Sequence, residues 1–327
     1  MGEDIREFLA EDWSAFQQLF VSLLHSSMPL LNKINGYLFE RSGKQLRPML
    51  ALLTAKACNA GFCNDKAIRC AAASEMLHTA TLLHDDVADD SDLRRGAPSV
   101  KALYTPTTSV LVGDFWLSRA IETIVRECDQ RIILCFSKCL EDLAEGEMLQ
   151  LEKAETLDTT EEDYLQIIYR KTASLFETAI ISSAMAVDAK DEDIAAFRKY
   201  AYHLGLAFQM MDDIFDYSPS VKTGKPAGRD VMEKKITLPL LGAFHNAPDA
   251  ESEKIRSAIR LIGKKENSGE SVHSIMQFVT KYKGLEYAHA RLEEEVENCI
   301  NSLVDIAQSH AKTYLASIAG YMALRAQ

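Results

Sequence analysis

The stretch from Glu75 to Pro98, EMLHTATLLHDDVADDSDLRRGAP, limits what this 327-residue chain can become more than any other. Ala71 to Leu83 is almost uncharged and reads as a buried helix, yet it runs directly into Asp85, Asp86, Asp89, Asp90 and Asp92, five acids within eight residues. On a helix Asp85 and Asp89 stand one turn apart on one face, about 5–6 Å between Cβ atoms, with Asp86 and Asp90 on the adjacent ridge. Like charges that close destabilise a helix unless a cation neutralises them. Hard oxygen donors on one face suit Mg²⁺, which keeps several waters and takes one or two carboxylates together with substrate phosphates. The plain alternative is an acidic helix end in solvent. Arg94-Arg95-Gly96 follow at once. Basic residues in a last turn with Gly just beyond are ordinary helix-ending chemistry, and two adjacent arginines beside an acid cluster are also what a diphosphate needs.

Chains tend to split beyond about 250–300 residues, but no break in composition marks a boundary here. With 47% hydrophobic and 26% charged residues, and only 15 Gly and 8 Pro to interrupt helices, the reading is one large, mostly helical domain over 1–327. A net charge of −12 argues against nucleic-acid binding, so any anionic substrate must be met by metal and a few local Lys or Arg. The seven cysteines are odd in number and lack paired CxxC spacing, which reads as free thiols in a reducing compartment. The N-terminus has no basic region ahead of an apolar core. The uncharged run Ser14 to Asn32 contains Gln17, Gln18, His25 and Pro29, whereas a membrane span needs about 20 predominantly apolar residues. A cytoplasmic protein is expected.

Gly43-Lys44-Gln45-Leu46-Arg47-Pro48 leads into an apolar helix from Met49 to Cys58. Pro48 suits a first turn whose open N–H groups favour an anion, and Lys44 and Arg47 stand at that end; a solvated basic loop is the alternative. His78 lies seven residues before Asp85, on the same helical face, as a ligand or as a hydrogen-bonded core histidine. Ser109 to Arg126 and Ile132 to Leu151 read as core helices, the second ending in Gly146-Glu147-Met148-Leu149-Gln150. Tyr164 to Val187 reads as one longer apolar helix with Lys171 and Thr172 in its first half, where the lysine either snorkels to the surface or points into a cleft. A second acid cluster places Gln209, Asp212, Asp213 and Asp216 at i, i+3, i+4 and i+7, one face of one helix. Lys225, in a Gly/Pro loop, and Lys234-Lys235 follow it, so each acid cluster is followed by basic residues.

Together these motifs resemble the trans-isoprenyl (polyprenyl) diphosphate synthases, from about Gly43 to Pro239 and plausibly over the whole chain. Present are GKxxRP at Gly43 to Pro48, His78, Asp85-Asp86-x-x-Asp89, RRG at Arg94 to Gly96, Lys171-Thr172, Phe208-Gln209, Asp212-Asp213-x-x-Asp216 and GKxxGxD at Gly224 to Asp230. The resemblance implies an all-α bundle around a deep central cavity with the two acidic walls facing each other at its mouth, usually as a homodimer. It implies that Asp85, Asp86, Asp89, Asp212, Asp213 and Asp216 hold a cluster of about three Mg²⁺ ions against an allylic diphosphate, aided by Arg94, Lys171, Lys225 and Lys235. Lys44, Arg47, His78 and Arg95 would bind isopentenyl diphosphate. Lys171, Thr172 and Gln209 would stabilise the allylic cation formed when the C–O bond ionises, and the departing diphosphate would take the final proton.

Beneath Asp85, Ala80 and Thr81 are small where short-chain relatives place bulky side chains. Leu77 lies one turn lower, and Ser74 and Ala73 below it are small again. Ordinary packing against a neighbouring helix would also use small residues here; a long-chain product, of the kind used in respiratory quinone side chains, is the expectation. Two other readings compete. A terpene cyclase would leave Lys44, Arg47 and Arg95 without purpose, and a regulatory subunit of a heteromeric synthase would typically have eroded acidic motifs, whereas both are complete here.

Overall fold

The computed structural model describes residues 2–217, 228–262 and 268–326, and their regular structure is helical apart from one two-stranded hairpin. The all-α expectation is met. Lys225 lies outside the described residues. Among the described residues no helix is long and apolar enough to cross a membrane. The chain forms two compact units, each drawn from three stretches: Met1–Lys138, Glu177–Arg198 and Asp305–Leu315 in the first, Cys139–Phe176, Lys199–Val304 and Ala316–Gln327 in the second.

In the first unit, Ala10–Leu23 and Pro29–Glu40 are separate helices, as the break near Pro29 predicts. Phe16, Phe20, Phe39 and Trp116 pack as successive ring pairs 5.5–5.9 Å apart. The Trp116 indole donates to Asn35 at 2.9 Å, and the Asn35 amide donates to the Leu24 carbonyl at 2.7 Å, so the buried polar atoms of this core are paired. Helix Asp65–Ala88 starts where the Asn64 side chain accepts the Ala67 N–H, and is buried over most of its length. Helix Pro106–Glu127 meets it closely. A Cβ on Gly113 would stand 2.4 Å from His84 Nε2, and the Ser109 hydroxyl donates to the Leu83 carbonyl at 2.8 Å.

The acid-rich helix ends sooner than its sequence predicts. It closes at Ala88, with the Asp89 N–H on the Asp85 carbonyl at 2.8 Å, and Asp90 takes a left-handed φ of 50° that turns the chain away. The predicted ridge of Asp86 and Asp90 therefore does not form. Arg94-Arg95-Gly96 is likewise no helix end. Leu93–Arg94 pairs antiparallel with Ala97–Pro98, and Arg95 (φ 53°) and Gly96 (φ 76°) fill the two-residue turn, which needs positive φ at both positions.

The single helix predicted over Tyr164–Val187 is interrupted. Glu161–Ile168 is α-helical, Tyr169–Ala173 is a π turn, and the α-helix resumes over Ser174–Ala186. Such wide turns are rare and frequently mark functional sites; this one carries Lys171 and Thr172. Two glycines on neighbouring helices make room for it. A Cβ on Gly205 would stand 2.3 Å from Ala173 Cα, and one on Gly146 would stand 2.7 Å from Arg170 Cβ. Replacing Gly205 with Ala is expected to lower stability by about 1–3 kcal/mol through overpacking. Gly36→Ala, in helix Pro29–Glu40 with nothing within 4 Å of the added methyl, is expected to raise it by up to about 1 kcal/mol. Urea midpoints moving in the same direction for both would show that the π turn does not rest on Gly205.

Candidate active site

The first unit gathers most of its predicted residues around the end of helix Asp65–Ala88. Asp86 is 3% exposed, and both Arg94 Nε and Nη2 donate to its Oδ1, at 2.8 and 2.6 Å. Burial pushes the Asp86 carboxyl up, and the guanidinium pulls it back. Asp85 is half-buried and Asp89 exposed. Arg95 donates to the Arg41 carbonyl at 2.9 Å and lies over Gly43, where a Cβ would stand 2.6 Å from its Cζ. That contact is a physical reason for glycine in the GKxxRP motif.

The charges of Arg47 and Arg95 both act on His78. Burial, and then Arg47, Arg95 and Arg94, hold the His78 imidazole well below its ordinary range, so it meets any ligand as a neutral ring. With them stands Glu75, 4% exposed, its carboxyl raised by burial against the pull of Arg47 and Arg95. The sequence reading missed Glu75, although it is the one acid in the run Ala71 to Leu83. Lys44 is exposed on the loop before helix Leu46–Cys58. Leu77 and Ala80 are buried, while Thr81 is half-buried and donates to the His78 carbonyl at 2.8 Å.

In the second unit, Lys171, Thr172, Gln209, Asp213 and Lys235 line one cavity of about 660 Å³, open mouth included. A chain of hydrogen bonds orders it. Thr172 donates to Gln209 Oε1 at 2.7 Å, Gln209 Nε2 to Asp213 Oδ1 at 2.9 Å, and the Tyr164 hydroxyl to Asp213 Oδ2 at 2.7 Å. Asp213 is 3% exposed, and burial raises its carboxyl well above the usual range. Lys171 is held by Gln150 at 2.9 Å and Glu147 at 2.5 Å, and Lys235 by Glu233 at 2.5 Å. Asp212 is exposed. Asp216 accepts the backbone N–H groups of Arg229 (3.2 Å) and Asp230 (3.0 Å). Asp230, half-buried and beside Asp216, is pushed up to about 7 by desolvation and by the Asp216 charge. Tyr164 and Gln150 are functional neighbours that the sequence reading took for a helix start and for core.

The donors at both acid clusters are carboxylate oxygens, the chemistry of a hard divalent cation. Among the described residues no three His, Cys, Asp or Glu side chains converge on one point. An ion held by Asp85 and Asp89, or by Asp212 and Asp216, would fill its remaining positions with phosphate oxygens and water, as Mg²⁺ commonly does. The residues fit such an ion.

Comparison with known proteins agrees with this chemistry. A polyprenyl synthetase family model matches residues 28–279. An octaprenyl diphosphate synthase of Haemophilus influenzae is 35% identical over 318 residues, covering 97% of this chain and 95% of that protein. A decaprenyl diphosphate synthase of Rhodobacter capsulatus superposes with a TM-score of 0.92 at 32% identity, covering 100% of both chains. A Caulobacter crescentus polyprenyl synthase complexed with calcium and isoprenyl diphosphate gives 0.89 at 31% identity, covering 99% of this chain and 97% of that one.

The bond from Tyr164 to Asp213 is testable by itself. Tyr164→Phe removes one donor from a buried carboxylate and is expected to cost about 1.5–3 kcal/mol, read as a lowered urea midpoint; a midpoint unchanged within error would mean that the phenol does not support Asp213.

Proposed function

Because this chain belongs to the polyprenyl synthetase family, we propose that it condenses isopentenyl diphosphate with an allylic diphosphate such as farnesyl diphosphate. Repeating the step builds a long-chain all-trans polyprenyl diphosphate, with one diphosphate released at each addition. The chain is a prenyltransferase with the all-α fold of its relatives. The observation that carries the detailed reading is the cavity lined by Lys171 and by Thr172, Gln209 and Asp213, the last three on one network of bonds.

Bound at Asp85, Asp89, Asp212 and Asp216, Mg²⁺ would supply Lewis-acid neutralisation of the leaving diphosphate. Calcium and isoprenyl diphosphate in the Caulobacter crescentus relative support a divalent cation and a prenyl diphosphate here. Arg94, Lys171 and Lys235 bind the allylic diphosphate as charge-assisted donors. Arg47 and Arg95 grip isopentenyl diphosphate, Lys44 reaches it from the loop, and neutral His78 donates one hydrogen bond to it. Breaking the allylic C–O bond leaves a delocalised cation. The oxygens of Gln209 and Thr172, fixed before reaction by Asp213 and by each other, direct their dipoles at that charge without reorganising. The isopentenyl double bond forms the new C–C bond, and the released diphosphate accepts the proton that restores the alkene. Asp213, with an acceptor bond on each oxygen, acts chiefly by holding Gln209.

Leu111, Ile121 and Val125 are exposed by 60, 44 and 54% along one face of helix Pro106–Glu127. An aliphatic stripe of this kind supports a homodimer with a second copy covering it. The reading keeps the enzyme in the cytoplasm, with a product that enters membranes.

Incubation with labelled isopentenyl diphosphate, farnesyl diphosphate and Mg²⁺ is expected to give products longer than twenty carbons. Asp85→Ala is expected to lower turnover by at least about a hundredfold with the helical circular dichroism retained, and EDTA is expected to stop the reaction. Full turnover in EDTA, or a cyclised hydrocarbon, would refute this function. Product length has a separate check. Ala80→Phe places a ring on the face beneath Asp85 and is expected to shorten the product toward fifteen or twenty carbons while condensation continues; unchanged chromatograms would mean that this face does not line the growing chain.

A further inference from the structure

Two of the five acids that open the sequence problem, Asp90 and Asp92, are taken up by one lysine. Lys101 Nζ donates to Asp90 Oδ1 and, at 3.1 Å, to Asp92 Oδ1. The lysine side chain is 10% exposed, whereas the two aspartates are 93% and 75% exposed. The ammonium is thus presented from a largely covered stem to two exposed carboxylates. Its own base is set in turn. Lys101 sits in the short turn Val100–Leu103, whose first residues are capped by Ser99 Oγ on the Ala102 N–H at 3.2 Å. Ser99 also donates its hydroxyl to the Ser91 carbonyl at 2.8 Å and its N–H to the Asp92 carbonyl at 2.8 Å, closing the root of the hairpin. Beyond that root lie Arg94, bonded to Asp86, and Arg95.

We propose that Lys101 is a positioning residue: it draws Asp90 and Asp92 away from the acid cluster and fixes the hairpin that presents Arg94 and Arg95 to the two diphosphates. The positioning role in catalysis rests on the prenyltransferase reading given above, while the latch itself does not. Five clustered carboxylates without this lysine would offer a divalent cation a second place to bind, off the reaction coordinate. With it, Asp85 in the last turn and Asp89 at the cap remain as the pair at the helix end. The effect on substrates follows from leverage, since the hairpin has only two residues in each strand and is closed at its root by the Ser99 bonds beside Lys101.

The test compares Lys101→Met, which keeps the apolar stem and removes the charge, with Lys101→Arg, which keeps the charge. In Lys101→Met, amide exchange over residues 91–99, followed by mass spectrometry, is expected to accelerate at least about tenfold, with exchange in 70–83 unchanged; this readout needs no turnover. KM for both diphosphates is expected to rise roughly tenfold or more with kcat changed less than about threefold, and the Mg²⁺ concentration for half-maximal rate is expected to increase. Lys101→Arg is expected to restore all three. Adding Asp90→Asn and Asp92→Asn to Lys101→Met is expected to return the Mg²⁺ requirement while leaving KM high. Unchanged exchange in 91–99, or a loss confined to kcat with the thermal midpoint lowered, would overturn the proposal. A wild-type enzyme that extends no allylic diphosphate would refute the prenyltransferase reading instead, with the exchange data still deciding whether the latch exists.

Discussion

Asp86 keeps a carboxylate in a place nearly closed to water, and the guanidinium of Arg94 is what holds it there. A buried charge deprived of its partner costs about 3–5 kcal/mol, so a cation has to arrive at the same point. Had the helix continued, a residue eight positions on would stand about 12 Å further along the axis, out of reach. The chain must stop and double back within those eight residues. Asp90 in the left-handed region and the turn at Arg95-Gly96 accomplish this. The hairpin is therefore a consequence of the buried acid, and the seat of Arg95 over Gly43 follows from the hairpin.

The second acid motif repeats the spelling of the first but solves the problem with other partners. Asp213 occupies the place in its motif that Asp86 occupies in the first, yet it receives an amide and a phenol rather than a guanidinium. Neutral donors satisfy the oxygens without cancelling the charge, and burial leaves the carboxyl raised. The cations of that unit are therefore engaged elsewhere: Lys171 with Gln150 and Glu147, and Lys235 with Glu233. Two motifs that read alike thus give one site dominated by an ion pair and another organised by a hydrogen-bond relay.

The helices were legible because their periodicity and low Gly and Pro content leave little else for the chain to do. The cavity residues Lys171, Thr172, Gln209 and Asp213 were legible as polar residues within apolar helices, and Lys235 as a basic residue following the second acid cluster. What stayed hidden depended on contacts far apart in sequence. The π turn has room because of Gly146 and Gly205, which lie 23 residues before it and 32 after it. Tyr164 lies 49 residues before Asp213, and nothing in its local sequence reveals the bond between them. The early end of the acid-rich helix was hidden for a different reason: Asp90, Arg95 and Gly96 fit a frayed helix end as well as a tight turn until strand pairing decides between them.

The helix from Asp65 to Ala88 is 24 residues long, about 36 Å of axis, and carries the acids at one end and small buried side chains along the rest. On the reading proposed above, reaction and measurement share one element while using residues that do not overlap. A graduated rule of the proposed kind would be re-marked one turn at a time, by a single substitution at a position such as Ala80 or Ser74, with the proposed chemistry at Asp85 and Asp89 left alone. Descent within the family has a cheap route to new products: divergence in length need not pass through loss of activity, and two enzymes that differ in what they make can differ by little more than where the rule is blocked.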